Sequence, residues 1–465
     1  MDNASEQKTG SHWLESSGFA HLFRIPRLAI RADNLGIGLV AVIATFVFGT
    51  VLDWVWMLRG GVSQKAVDQF ILARQLDQPY SEPAGEFGIF DVWREHSRRC
   101  VLGFLASSIP GKSLAAGTKF GRYLDSHAQT RPLAYLTDLG YGQWWLLRQH
   151  PLYALLLAVG WVLIWGWAGG AICRVAAIQF ARNEMLTLQQ AQRYARHHLF
   201  GGSVLALFVP LGLMFFVAML MGVGGLFLRL PLVGDLLGGA AFVLAIVGGA
   251  VVAALLIGLV IAGHLFCPAV AVESTDGFDA FSRGFSYVVS KPWRTVVYGV
   301  VSLLVTAICW IVVNLFVFAA LSVTRAVVGF GTGPFGWGMR QVGQESIRKL
   351  DLLWPLAGPD ALYRAPNWSQ LGYFEYVSAV LIGFWVLLVV AALWAFLASL
   401  YFCCCTVTYF LLRRDVDGTD LEDVQMEEGA AEQTTTPLAT AGPAHSAQPA
   451  ASTAPTYSAE PPSST

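Results

Sequence analysis

The sequence predicts an all-α fold: a polytopic membrane bundle of six transmembrane helices, with interfacial helices at one end and a mostly helical loop domain at the other. Three observations predict it. Of the 465 residues, 55% are hydrophobic and only 13% are charged, about half the charged share of an ordinary soluble protein. Six apolar stretches, near 36–58, 152–173, 204–228, 237–263, 296–321 and 377–401, are each long enough to cross a hydrocarbon layer ~30 Å thick. Lys and Arg gather in the short connections on one side of those stretches. Each stretch must be a helix, because backbone N–H and C=O groups in lipid find no water and must pair within the segment.

The first 34 residues form a unit of their own. Residues 18–32 (GFAHLFRIPRLAIRA) alternate apolar and basic positions around Pro26, the pattern of a segment lying on a membrane surface with Arg outward. The membrane domain then runs from 35 to 414. Its first stretch carries Asp53, beside Trp54 and Trp56, the only formal charge in any of the six. The loop 59–151 is expected to be mostly helical, with pieces near 64–76 and 88–107, and re-enters the membrane through Trp144, Trp145 and His150-Pro151. The last stretch stays uncharged from Tyr376 to Leu412, so its helix is tilted or continues past the headgroups. Residues 415–465 begin acidic and turn Ala/Thr/Pro/Ser-rich from about Gly429, a composition expected to remain disordered. No cleavable signal peptide is expected, and with Cys100 alone among seven cysteines in a long outward loop, no disulfide framework is expected there.

Orientation follows from the short loops. Arg24, Arg27 and Arg31 precede the first span. Arg174, Arg182, Arg193 and Arg196 lie between spans two and three, Arg283, Lys291 and Arg294 between four and five, and Arg413 and Arg414 after six. Six spans put all of these on one side, whereas the short loop opposite holds Arg229 alone. Both termini are therefore expected in the cytoplasm of a cell whose cytoplasmic (inner) membrane holds the chain. The long loops 59–151 and 322–376 then face outward. The first carries eleven Lys or Arg, but loops of that length translocate largely regardless of charge.

The two cytoplasmic connectors echo one another. Each places a capping residue, Thr187 or Asp276, before an Ala-bearing amphipathic helix with Arg and aromatics. They read as interfacial helices bridging spans two to three and four to five, whether by duplication or because any basic amphipathic connector looks this way. The stretches GWAGGAICRVAAIQFARNE, VESTDGFDAFSRGFSYVVSKPWR and FLLRRDVDGTDLEDV resemble a family of uncharacterised bacterial multi-pass membrane proteins. The same plan is similar to the membrane domain attached to some glycerophosphodiester phosphodiesterases. That resemblance covers spans two to six and brings no catalytic residue with it, because no phosphodiesterase domain is seen here.

Small residues mark close helix packing: Gly166 and Gly170 in span two, Ala218 and Gly222 in span three, and Ala241, Ala245, Gly249 and Ala253 in span four. Span four, with a second such line on another face, is the expected central helix, and packing within the bundle is favoured over homodimerisation. Motifs that could carry chemistry are weaker than their bland readings. ASSIPGKS (106–113) matches a loose phosphate loop with Lys112 and Ser113, yet lies in an outward loop without an Asp-ending strand. GTGPFG (331–336) follows a span and contains Pro334, so it reads as a turn. His264 and Cys267 sit a turn apart, and His197 and His198 are adjacent, so neither pair is a metal site on its own. Asp415, Asp417 and Asp420 around Gly418 miss the spacing of a calcium loop. No catalytic, cofactor or metal site is assigned.

An ion-coupled transporter needs mid-depth charge and an intramembrane enzyme needs an acid, base or nucleophile in the bundle. Neither pattern is written here. The expected function is a non-catalytic scaffold or interaction protein whose partners are membrane lipids and other membrane proteins or a second copy. A passive or lipid-handling transporter is the alternative. A third class, an enzyme of the outer loops, rests only on Asp91, Glu95, His96 and Asp125. The net charge of −1 excludes a basic nucleic-acid binder.

Overall fold

The structure is a computed structural model that describes residues 19–58, 88–108, 132–227, 233–332, 339–342, 345–355 and 362–425. Among these, two short helices, α1 (Phe19–Leu22) and α2 (Ile25–Ala29), lead into α3 (Ala32–Met57). A hairpin of α4 (Ile89–Ser108) and α5 (Pro132–Gln149) follows, then α6 (Pro151–Arg182) and α7 (Leu188–His197). A π-helical turn (Leu199–Val204) opens into α8 (Leu205–Phe227). Next come α9 (Val233–Ala262), α10 (Phe266–Glu273), α11 (Gly277–Ser290) and α12 (Pro292–Thr332). Strands β1 (Met339–Val342) and β2 (Glu345–Arg348) pair antiparallel, Met339 opposite Arg348, before α13 (Lys349–Leu353) and α14 (Tyr373–Asp417).

Among the described residues, six helical segments are long and apolar enough to cross a membrane: Ala32–Met57, Pro151–Arg182, Leu199–Leu226, Phe242–Glu273, Pro292–Gly331 and Tyr373–Asp417. The chain is an all-α, multi-pass membrane protein, with one small β hairpin beyond the expected plan. Several helices overrun the apolar stretches that announce them. The fifth extends to Thr332, eleven residues past 321, and the sixth runs 45 residues, or ~68 Å at 1.5 Å each. The last helix starts where Glu375 accepts the Gly372 N–H at 3.0 Å and stops at Gly418, whose φ of +70° is a conformation glycine adopts freely.

The centre of the bundle is α14, not the fourth span. α3, α6 and α14 pack pairwise, and α12 lies on the far side of α14. α8 and α9 form a hairpin that meets the other elements through α10, α11 and the π turn at one end. Elsewhere their flanks are open, with Phe215 72% and Leu244 71% exposed. The seam of this hairpin also departs from the expected line. A Cβ on Gly248 would lie 2.9 Å from Met221 Sδ, whereas Gly222 has nothing within 4 Å and Gly249 touches only the Met221 methyl at 3.9 Å. Ala218 and Ala253 are exposed and Ala245 is half-buried, and the Ala241 side chain is outside what is described. The reason is that span four is apolar and small-rich on every face, so the sequence does not mark which line Met221 fills. In span two, Gly166 and Gly170 do face close neighbours, namely Leu199, Ser203 and Ala195 in the π turn and α7 rather than another span.

A tight crossing joins α3 to α14. A Cβ on Gly38 would lie 2.8 Å from the Ala395 carbonyl oxygen, a backbone atom that cannot turn aside. Gly38→Ala is therefore expected to destabilise the protein by ~1–3 kcal/mol, the range for overpacking. Gly36→Ala, with nothing within 4 Å, is expected to be neutral or to stabilise by up to ~1 kcal/mol through helix propensity. Thermal unfolding of the two detergent-solubilised variants separates them.

The segment expected on the membrane surface, with Arg outward and Leu or Ile inward, leaves Arg24 and Arg27 exposed and turns its inward side onto protein. Leu22, Ile25, Leu28 and Ala29 are buried, α2 lies on α14, and Ser399 Oγ donates to Ala29 O at 2.9 Å while Asn34 Nδ2 donates to Leu28 O at 3.0 Å. The acidic start of the tail, expected as a solvated patch after a helix stop, is ordered as far as Gln425. Of the remaining sequence features, helix 64–76, Asp125, residues 109–113 and 333–336, Arg229 and the tail from 426 lie outside the described residues.

Candidate functional site at the arginine end

The two connectors fold as their capping residues dictate. Thr187 Oγ1 accepts the Gln190 N–H at 3.4 Å, and Gln190 Oε1 accepts the Thr187 N–H at 3.1 Å; Asp276 Oδ1 accepts the Asp279 N–H at 2.9 Å. The helices before them, α6 and α10, end at Asn183 (φ 55°) and Ser274 (φ 52°). These are the only non-glycine residues with positive φ among those described. Equivalent small residues, Ala191 with Ala195 and Ala280 with Gly284, stand four and eight positions after each cap and are buried. The echo between the connectors is thus carried into their backbone.

These stops and caps bring a buried ion network together. Glu273, 2% exposed, ends α10. Tyr409 and Arg413, one turn apart on α14, both reach it: the Tyr409 hydroxyl donates to Oε1 at 2.5 Å, and Arg413 Nε lies 3.3 Å from the same oxygen. Arg283 from α11 pairs with the other oxygen and also donates to Asp279 at 2.8 Å. Burial alone would lower the Arg283 pKa, but Glu273 and Asp279 more than offset it and hold the guanidinium above its ordinary value. Beside this cluster, Asp417 accepts from the Tyr287 hydroxyl, whose pKa is pushed up by burial and by that bond. Asp415 accepts from Tyr298 at 2.8 Å and pairs with Arg294 at 2.6 Å.

The chain after Gly418 folds back as a strap, Gly418–Gln425, across α6, α10 and α14. Val424 is 2% exposed, and the Gln425 N–H donates to Val272 O at 3.1 Å. Arg413 donates to Asp423 O at 2.7 Å and Oδ2 at 3.1 Å, Arg182 to Val424 O at 3.1 Å, and Arg174 to Gln425 O at 2.8 Å.

Nine basic residues were expected to face the membrane interface, and six of them engage protein partners, Arg174 and Arg413 from buried positions and Arg182 and Arg294 from exposed ones. Arg174, Arg182 and Arg413 hold the strap, while Arg283, Arg294 and Arg414 pair with carboxylates. Arg193, Arg196 and Lys291 are exposed. The physical reason lies in the donors of a guanidinium, which suit carbonyls left over at helix C-termini; Arg174 also donates to Ala271 O in the last turn of α10 at 2.7 Å. Glu273 and Tyr409 were not singled out from sequence. The available signal was the lone acid closing the run 242–273, and the i,i+4 pair of Tyr409 and Arg413 that ends five residues before a Gly stop. Asp415 and Asp417, weighed for calcium, are engaged by helix partners.

At the opposite end, His96, Cys100 and Asp138 come together between α4 and α5. His96 Nε2 lies 2.9 Å from Asp138 O and 3.5 Å from Cys100 Sγ. Burial, aided by the Asp138 charge, pushes the Cys100 thiol up to about 12, the wrong direction for a nucleophile. Labelling of Cys100 by a maleimide in the native protein is expected to stay slow at pH 7 and to climb from pH 7 to 9 without levelling off, because the thiolate fraction keeps rising until the raised pKa is reached. A fast rate that has already levelled off by pH 8 would mean an activated thiolate. Burial also pushes the Glu95 carboxyl up, but Arg98 and Arg99 outweigh it and hold it below the usual carboxylate range. Asp91 pairs with Arg94 at 2.8 Å. Among the described residues no group of three or more His, Cys, Asp or Glu is placed to hold a metal ion. No family model, no curated protein and no solved structure matches this chain.

Proposed function

We propose that this chain is a non-catalytic scaffold of the cytoplasmic membrane, with the arginine end and both termini in the cytoplasm. The observation that carries the reading is the α8–α9 hairpin. It is anchored to the bundle at the arginine end and offers apolar flanks to neighbours within the bilayer. The charged groups nearby tie helix to helix and helix to strap, as a rigid mount requires, and Met185 before α7, Phe278 on α11 and Trp293 at the start of α12 are exposed beside Arg and Lys at the membrane surface. Lipids and other membrane proteins, or a second copy, are the partners of such a surface.

A photo-crosslinking residue placed at Phe215 or Leu244 in native membranes is expected to trap a discrete protein band. The same splayed hairpin also favours a second reading, a lipid-handling transporter. Crosslinks to lipid alone, together with faster transbilayer movement of a fluorescent phospholipid in vesicles holding the purified protein, would replace the first reading by the second. Reporter fusions at residues 110 and 345 are expected to read external and one at residue 430 internal; the reverse pattern inverts the orientation.

A further inference from the structure

The geometry points to Arg174, Arg182 and Arg413 as a binding site for a phosphate-bearing anion, filled here by the strap as an internal stand-in. The three guanidiniums converge on three consecutive residues, Asp423 to Gln425. Of the four acceptors, three are neutral carbonyls, and the one carboxylate, on Asp423, has a side chain 59% exposed. Guanidinium–phosphate pairs are charge-assisted and roughly twice as strong as neutral hydrogen bonds. Bond for bond, the strap is the weaker occupant.

Two of the three donors are held in place from behind. Arg174 lies over the Tyr194 ring at 4.4 Å and grips Ala271 O with its other nitrogen. Arg413 is steadied by Glu273. Arg182, exposed at the rim, leaves a way in. What keeps the strap seated is not its charge but its Val424 anchor, the Gln425 to Val272 bond and its covalent attachment at Gly418. An attached segment competes at an effective concentration of the order of millimolar. A dilute solute does not overcome that, whereas headgroups crowded at the membrane surface do. Gly418 is the point about which the strap leaves α14. The site stands whether the bundle scaffolds or moves lipid.

The full-length protein and its Val424→Ser and Asp423→Lys variants are purified in detergent. Native mass spectrometry then counts bound phosphatidylglycerol, with phosphatidylcholine and inorganic phosphate as separate arms, while hydrogen exchange follows residues 419–425. Either variant is expected to raise strap exchange and to raise phosphatidylglycerol occupancy about tenfold, the loss of a tethered competitor. Adding Arg182→Gln is expected to return occupancy to the starting level. Occupancy by phosphate at millimolar concentration without lipid enrichment supports the same site with a soluble ligand. Strap exchange that rises with no gain in either anion, an equal gain of phosphatidylcholine, or strap exchange unchanged in both variants would overturn the proposal.

Discussion

Glu273→Ala is expected to be among the most destabilising single changes in this protein, at ~3–5 kcal/mol, because it removes one partner of a buried ion pair and strands the other. The groups left short are the Tyr409 hydroxyl and the Nε of Arg413, whose side chain is 8% exposed and keeps only Asp423, a carboxylate that is itself 59% exposed. Arg283 suffers less: its side chain is 40% exposed and keeps Asp279. Glu273→Gln retains the volume and an acceptor for Tyr409, so its cost is expected to fall to ~1–3 kcal/mol, that of a weakened buried hydrogen-bond set. Asp279→Ala, at an exposed pair, is expected to cost no more than ~1 kcal/mol. Thermal unfolding of the detergent-solubilised proteins should rank the three in that order. A Glu273→Ala protein that melts with the wild type would mean that α10, α11 and α14 are held by packing alone. Combining Glu273→Gln with Arg413→Met should recover part of the loss, since the buried charge is then gone rather than orphaned.

The helical frame was readable because lipid leaves the backbone few choices: uncharged runs of twenty or more residues become helices, and the caps at Thr187 and Asp276 sit where a hydroxyl or carboxylate can take an unpaired N–H. The packing order was not readable. Hydrophobicity tells that span four is buried in lipid or protein but not which, and the Ala and Gly lines of spans three and four advertise close contacts that Gly222 and Gly249 do not make. The site was half visible. Counting Arg residues located the right end of the bundle and assigned them to lipid, because a positive-inside count carries no information about partners. Arg174 and Arg413 turn inward to carbonyls and carboxylates that lie 97 and 140 residues away, at Ala271 and Glu273. The strap escaped notice for a related reason: its composition is that of a solvated tail, and one valine, Val424, supplies the anchor.

Asp53 was conspicuous as the one charge within the apolar stretches, and its environment makes a second strong prediction. Its carboxylate accepts the Phe90 N–H at 2.9 Å, the Asp91 N–H at 3.3 Å and the Tyr153 hydroxyl at 2.6 Å. It thus caps α4 from 37 residues upstream, at the helix end where a negative charge also complements the backbone dipole. Asp53→Ala removes the cap, worth ~0.5–2 kcal/mol, and leaves a buried hydroxyl and two amides seeking acceptors at ~1–3 kcal/mol for each that water cannot reach. Against this stands the apolar contact of Ile89, Phe90 and Val92 with Tyr153, Ala154, Leu157 and their neighbours, where each large side chain contributes ~1.5–3 kcal/mol. Burial is the larger sum, so the α4–α5 hairpin is expected to stay docked while the first turn of α4 opens. Hydrogen exchange at residues 90–94 should then accelerate at least tenfold, with α14 and the arginine end unchanged. Phe90→Ala, which takes ~3–5 kcal/mol from the apolar side, should instead raise exchange along the whole of α4. Gly88 supplies an independent check: a Cβ there would fall 2.1 Å from Asp53 Oδ2, so Gly88→Ala must displace the carboxylate and should reproduce the local opening of Asp53→Ala. Unchanged exchange at residues 90–94 in both variants would mean that the carboxylate is a passenger in this contact rather than its cap.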